Sequence, residues 1–206
     1  MSTLEYLKIK RLFDVAFSLI LIALLLPIWA VISIVILLDS GRPILFKQQR
    51  VGRALEKFNI YKFRTMKTSA PHSVPTHLLA SPEKLITRSG KLLRKFSLDE
   101  IPQLVNILKG EMSFVGPRPA LFIQEELIML RQKFQANDIL PGLTGWAQIN
   151  GRDEVSSEFK AEYDGFYKKN VSFLLDFKII IFTFQKVILS SGYKEGEFKN
   201  SASNNQ

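Results

Sequence analysis

Two adjacent carboxylates stand in Ser97-Leu-Asp99-Glu100-Ile-Pro102, a stretch that reads as the start of a helix. Ser97 and Glu100 have the spacing of a capping box, and Pro102 suits a first turn. On that reading Glu100 caps the helix and does nothing more. The same geometry also has a chemical use. A carboxylate at a helix N-terminus feels the positive end of the dipole and free backbone N–H groups. That position is expected to lower the pKa of Asp99 and keep it ionised. An ionised aspartate can attack phosphorus and form an acyl phosphate, and Glu100 beside it can take a hard cation.

An isolated Asp-Glu pair says little, so the basic residues decide its weight. Lys62 and Arg64 lie in Tyr61-Lys-Phe-Arg-Thr-Met66. Arg94 and Lys95 precede Asp99 by about one turn. Arg118 is held between two prolines in Gly116-Pro-Arg-Pro119, and Arg152 ends Trp146-Ala-Gln-Ile-Asn-Gly-Arg152. Gln148 and Asn150 of that last segment are assigned with it to substrate binding. Any one of these cations alone is more often a solvated surface charge. Arginines fixed on rigid turns suit bidentate phosphate recognition, and a diphosphate donor needs several cations plus a metal. Core packing is the first expectation for Trp146 and Tyr61; stacking on a nucleobase or sugar is the alternative. Pro141-Gly-Leu-Thr-Gly145 has neither Walker nor dinucleotide spacing, which disfavours an ATPase or a Rossmann enzyme.

Composition removes other chemistries. There is no cysteine, so no thiolate nucleophile, thiolate metal site or disulfide framework. The two histidines, His72 and His77, sit in a polar stretch, which argues against a histidine-centred triad. A formal charge of +9 calls for an anionic partner: nucleic acid, anionic headgroups or phosphorylated substrates. No nucleic-acid motif is present.

The elements that must carry these residues follow. The run 15–38 is uncharged and would reach about 36 Å as a helix, enough to cross a bilayer core. It exceeds a signal-peptide core and no small-x-small site follows it. Pro27 removes one hydrogen bond and clashes with the carbonyl of Ala23, so a kink is expected there. Both flanks are basic, which favours both ends on the cytoplasmic side; spanning and re-entrant paths stay open. Strand-like runs at 44–49 and 58–63 suggest a hairpin turning near Gly52. The stretch 67–82 reads as an exposed loop. Helices are expected at 85–96, 99–108 (ended by Gly110), 120–134 and 159–169, with an ordered loop at 140–151. Within 171–190, Phe173, Leu174, Phe177, Ile180, Ile181, Phe184, Val187 and Ile188 share one face. That amphipathic helix suits a membrane interface or the domain core equally. The tail 193–206 reads as disordered.

Together these segments resemble the bacterial sugar transferase family, the monotopic phosphoglycosyl transferases that begin capsule, exopolysaccharide and glycoprotein glycan assembly. The matching text is Lys10-Arg-Leu-Phe-Asp14, 61–66, Leu98-Asp-Glu-Ile-Pro-Gln-Leu104, Asn106-Ile-Leu-Lys-Gly110, Met112-Ser-Phe-Val-Gly-Pro-Arg-Pro119 and 141–152, in the family's order. The resemblance implies an α+β, mostly helical fold: a re-entrant membrane helix over 1–40, then a catalytic domain over 41–192 with a small hairpin and interfacial helices. It implies a UDP-sugar donor, a polyprenyl (undecaprenyl) phosphate acceptor and Mg²⁺ held at Asp99 and Glu100. Asp99 matches the family's nucleophile, and Glu100 the second member of its dyad. Lys62, Arg94 and Arg118 match basic residues around the phosphates. Where the best-known members carry Ser-Pro at the membrane turn, this chain has Leu26-Pro27, so the serine's help to freed backbone groups is absent. The proline remains, and re-entrance is favoured. The implied location is the bacterial inner membrane, monotopic, with the site facing the cytoplasm. Contact with membrane lipids and not with nucleic acid is expected, a homodimer is left open, and the sugar is unreadable. The competing readings are another membrane enzyme on polyprenyl phosphates and a non-catalytic basic adaptor at the membrane.

Overall fold

The computed structural model describes residues 3–71, 79, 81–151 and 155–189. His72, His77, Arg152 and the tail 193–206 lie outside the described residues, as does half of the loop expected at 67–82.

The chain begins with α1 (Thr3–Ser40), which runs as one helix through Pro27. Its protein-facing stripe is Tyr6, Asp14, Ser18, Ile32 and Ile36, with Leu21, Ile22, Leu25 and Trp29 packed between them. Steps of three, four, seven or eight along this stripe continue past Pro27, the spacing of a single helical face. The proline itself lies on the exposed side.

The hairpin appears as expected: β1 (Leu45–Val51) pairs antiparallel with β2 (Lys57–Phe63), Leu45 opposite Phe63 and Val51 opposite Lys57. Along β2 the alternation that buries Phe58 and Ile60 puts Lys62 on the same face. A basic residue thereby points into the domain.

The helix expected at 85–96 is instead broken into α2 (Pro82–Leu85) and α3 (Arg88–Lys95). Ile86 forms a bridge with Met66, and the Thr87 hydroxyl accepts from the Gly90 N–H as the N-cap of α3. The helix expected at 99–108 begins as a 3-10 turn, Leu98–Gln103, before becoming α4 (Leu104–Lys109). Gly110, at φ +87°, ends it in the left-handed conformation that suits glycine. Of the stretch 120–134, only α5 (Glu125–Lys133) is helical, because Ala120 pairs with Val51.

The segment 140–151 contributes β4 (Gly142–Thr144), parallel to β3 (Ser113–Val115), and then α6 (Trp146–Asn150). Gly142 and Gly145 are needed there. A Cβ on either would come within 2.1 Å of a Gly116 backbone atom. The chain closes with α7 (Ser157–Asn170) and α8 (Phe173–Leu189).

Most of the expected apolar face of α8 is left exposed: Phe173, Leu174, Phe177, Ile180, Ile181 and Phe184. The helix meets the domain through Leu175, Asp176, Ile179, Thr183 and Lys186. Thr183 shares a hydroxyl hydrogen bond of 2.6 Å with Thr144. Asp176 is the buried joint between α1, α7 and α8. It accepts from Tyr6 and Tyr167, each at 2.7 Å, and pairs with Lys10. In α1 likewise, Tyr6, Lys10, Asp14 and Ser18 face the domain while Leu12, Leu19 and Leu24 face outward. Both helices turn polar as well as apolar groups inward and leave many large apolar side chains exposed, unlike a water-soluble arrangement.

Candidate active site

The dyad sits where three elements converge. Leu98 and Ile101 pack against the cluster of Phe63 and Leu93, which pins the 3-10 turn beside β2 and α3. Ser97 enters that turn in the left-handed conformation, φ +55°, with no side-chain cap. The expected capping box therefore does not form. The Glu100 side chain is turned instead to the cations: Lys62 Nζ donates to Glu100 Oε1 at 2.6 Å and Arg118 Nη2 at 3.3 Å.

The two carboxylates differ sharply. Asp99 is buried, and among the described residues its carboxylate makes no hydrogen bond. Burial pushes its pKa up to about 6; the adjacent Glu100 adds to that, while Lys62, Arg94 and Arg118 pull it down. The depressed value expected from the helix terminus is not found, because the loss of water outweighs it. For Glu100 burial also raises the pKa, but Lys62 and Arg118 outweigh it and bring the value down to about 2. Glu100 is thus a permanently charged, anchored group. Asp99 is an uncommitted carboxylate, mostly ionised near neutral pH and poorly solvated, which suits a nucleophile.

The other predicted residues divide. Arg94, at the end of α3, donates through Nε to Thr65 Oγ1 at 2.8 Å and acts on Asp99 by its charge. Arg64 lines the same cleft as the dyad, but its hydrogen bonds go to the end of α1. It is buried, and its Nη2 donates to the Ser40 and Gly41 carbonyls, each at 2.7 Å, tying β2 to the end of α1. Gln148 donates to the Leu143 carbonyl at 3.2 Å, and among the described residues its buried Oε1 has no hydrogen-bond partner. Asn150 is exposed and donates back to the Trp146 carbonyl of its own helix. Trp146 stacks on Phe166 with ring centroids 5.3 Å apart, in agreement with the core-packing expectation.

A cleft of 2560 Å³ joins these groups. Lys62, Arg94, Asp99, Glu100, Arg118 and Gln148 line its polar part. Phe13 and Phe17 of α1, and Phe177 and Phe184 of α8, line its apolar part. A charged substrate head and an apolar tail can therefore share one continuous space.

Sequence reasoning missed several supporting residues. Arg11 donates to the Ile107 and Leu108 carbonyls at 2.6 and 2.9 Å, capping α4 behind the dyad. Asn106 is fully buried in α4 and accepts from the Tyr61 N–H while donating to the Asn59 carbonyl, which fixes β2 against α4. Its signal was available: a polar residue on the apolar side of a short helix. Arg131 forms a buried pair with Asp164, 33 positions away, and nothing local announces it.

Among the described residues there is no group of three or more potential metal ligands. Two adjacent carboxylates do fit Mg²⁺, which is ordinarily held by one or two carboxylates together with substrate phosphates.

Comparison with known proteins places the chain in a family. The chain is 43% identical over 187 residues to EpsL, an uncharacterized sugar transferase of Bacillus subtilis (strain 168), covering 91% of each. It is 35% identical to a UDP-N-acetylgalactosamine-undecaprenyl-phosphate N-acetylgalactosaminephosphotransferase of Aeromonas hydrophila, across 91% of this chain and 45% of that one. It is 36% identical to a UDP-glucose:undecaprenyl-phosphate glucose-1-phosphate transferase of Escherichia coli (strain K12), across 85% of this chain and 39% of that one. The chain thus spans nearly all of EpsL but less than half of each of the other two. The model of the bacterial sugar transferase family matches residues 5–190, and the chain belongs to that family of sugar-phosphate transferases.

Proposed function

We propose that the chain transfers a sugar-1-phosphate from a UDP-sugar to a polyprenyl phosphate, releases UMP, and does so through a covalent intermediate on Asp99. The observation that carries this reading is the contrast within the dyad. Asp99 is buried and, among the described residues, its carboxylate makes no hydrogen bond, while Glu100 is locked to Lys62 and Arg118.

In the first step an Asp99 oxygen attacks the sugar-bearing phosphorus. The bond from that phosphorus to the bridging oxygen breaks, and UMP leaves with the electron pair. In the second step a phosphate oxygen of the lipid attacks the same phosphorus, and the Asp99 carboxylate leaves. Lys62, Arg94 and Arg118 offset the phosphate charge that accumulates. Mg²⁺, held by Asp99 and Glu100 together with the donor's phosphates, would neutralise the leaving UMP. The donor is water-soluble and the acceptor is a lipid, so the reaction belongs at headgroup depth. The outward apolar faces of α1 and α8 support that location.

We read α1 as re-entrant, with both ends on one side, and the protein as monotopic, with its site on the cytoplasmic side of the inner membrane. Two attachments support this. Near the N-terminus Tyr6 and Lys10 are bonded to Asp176, and at the C-terminus Ser40 and Gly41 are bonded to Arg64. Both ends of the helix are fastened to one domain.

The test is UMP release across a panel of UDP-sugars, with undecaprenyl phosphate and Mg²⁺. One UDP-sugar is expected to give UMP and a lipid-linked diphosphosugar. With donor alone, intact mass should rise by one phosphosugar on the wild type and not on Asp99→Asn. Equal turnover by Asp99→Asn would sink the covalent mechanism.

A further inference from the structure

We propose that Arg131, held by Asp164, and Arg50 are positioning residues that fix the backbone around Arg118 and so aim its guanidinium at the dyad. The inference rests on the reading above, in which Arg118 acts on the donor's phosphates.

The segment 116–120 is Gly-Pro-Arg-Pro-Ala. Its two prolines have no N–H, so the loop is short of donors and must be held largely through its carbonyls. All four carbonyls from Pro117 to Ala120 are taken. Pro117 O accepts from the Gly142 N–H at 2.8 Å, and Ala120 O from the Val51 N–H at 2.9 Å. The two between them accept from side chains: Arg118 O from Arg131 Nη1 at 2.9 Å, and Pro119 O from Arg50 Nη1 at 3.1 Å. The Gly116 N–H donates to the Thr144 carbonyl at 2.9 Å. The backbone on either side of Arg118 is therefore fastened, and from it the half-exposed guanidinium reaches Glu100.

Arg131 would be an odd choice for stability alone. Its side chain is 6% exposed and that of Asp164 1%. A buried ion pair of this kind is often no more stable than a well-packed apolar pair. What only arginine supplies is the fork. Nε and Nη2 bind Asp164 at 2.8 and 2.6 Å while Nη1 is left for the Arg118 carbonyl. A lysine could keep the charge pair but not both ends of the contact.

The experiment is a double-mutant cycle with the UDP-sugar that supports turnover. Arg131→Lys is expected to lower kcat/KM for the donor by about tenfold in the wild-type background and to change it less than twofold in Arg118→Met. A purely structural effect would persist in both backgrounds, so additive losses would overturn the proposal. Arg50→Met in the same cycle gives a second reading should Arg131→Lys fold poorly. Hydrogen exchange of a peptide covering 113–121 is measured without substrate. It is expected to speed up in Arg131→Lys while exchange in α4 is unchanged; identical exchange in the loop would also overturn the proposal. Absence of turnover in the wild type would count against the proposed function and leave the exchange result to judge the positioning claim.

Discussion

Asp99 and Glu100 are neighbours on one 3-10 turn, share the same cations and are both desolvated, yet their pKa values move in opposite directions. The difference is direct contact. Glu100 accepts two charged donors, whereas Asp99 feels them at a distance. A buried carboxylate held this way burdens the fold. The folded pKa of about 6 lies above the unfolded 3.8, so the native state binds the proton more tightly. Asp99's contribution to stability therefore worsens as pH rises from about 4 to 6, and the penalty is full above that window. In metal-free protein under chelator, Asp99→Asn is expected to be more stable than wild type at pH 7.5, by on the order of 1–3 kcal/mol. The advantage should shrink through pH 6 and vanish below about 4. Thermal unfolding across pH 4–8 measures it, and a variant no more stable at pH 7.5 would mean that Asp99 is not strained in the native state. The nearness of this residue to Lys62, Arg94 and Arg118 was legible in the sequence, and its titration was not. A helix-start position could be read from Ser97 and Pro102, but the burial that overrides the dipole depends on where Phe63 and Leu93 sit. For the same reason Arg64 looked equivalent to Lys62. Two residues apart on a strand they share a face by period, but Arg64 lies just past the end of β2 and turns to α1.

Elements whose pattern is local were readable: the hairpin, the stop at Gly110, and α7 and α8. The helix expected at 85–96 was misread because its break is imposed from outside. Ile86 is drawn into a bridge with Met66, and Gly90 lies hard against Thr65. Periodicity in 171–190 gave the two faces of α8 but not which one meets the protein; Asp176, Ile179 and Thr183 decide that. The Gly90 contact has a mechanical consequence. A Cβ there would stand 2.1 Å from the Thr65 carbonyl oxygen, so the backbone must shift. Thr65 is also the residue that holds Arg94 at Oγ1. Gly90→Ala is therefore expected to cost about 1–3 kcal/mol of stability, the usual cost of overpacking. It should also lower UMP release at least fivefold at temperatures where the protein stays folded. Unfolding and turnover measured on one preparation test both. Unchanged activity despite the lost stability would separate α3 from the site.

Across the whole molecule the net charge of +9 and the exposed apolar faces of α1 and α8 act together. Apolar surface is favoured where water is absent, and lysine and arginine where anionic headgroups are near. Neither states how α1 sits. A 38-residue helix is about 57 Å long if straight, more than a bilayer core requires. A helix crossing completely would put residues near Tyr6 and residues near Ser40 on opposite sides. The Asp176 joint and the Arg64 joint, both made to the same domain, would then have to form in two compartments at once. Breaking the first would leave Asp176 buried without Lys10, a cost of several kcal/mol. Same-side ends avoid this. The chain offers a clean assay because it contains no cysteine. Lys8 and Lys57 are both exposed, one near the start of α1 and one on the hairpin. In spheroplasts, Lys8→Cys and Lys57→Cys are each expected to resist a membrane-impermeant maleimide and to react once the membrane is opened. Labelling of the Lys8→Cys protein alone in intact spheroplasts would make α1 a spanning helix. It would then require the Tyr6–Lys10–Asp176 contacts to be absent in the membrane.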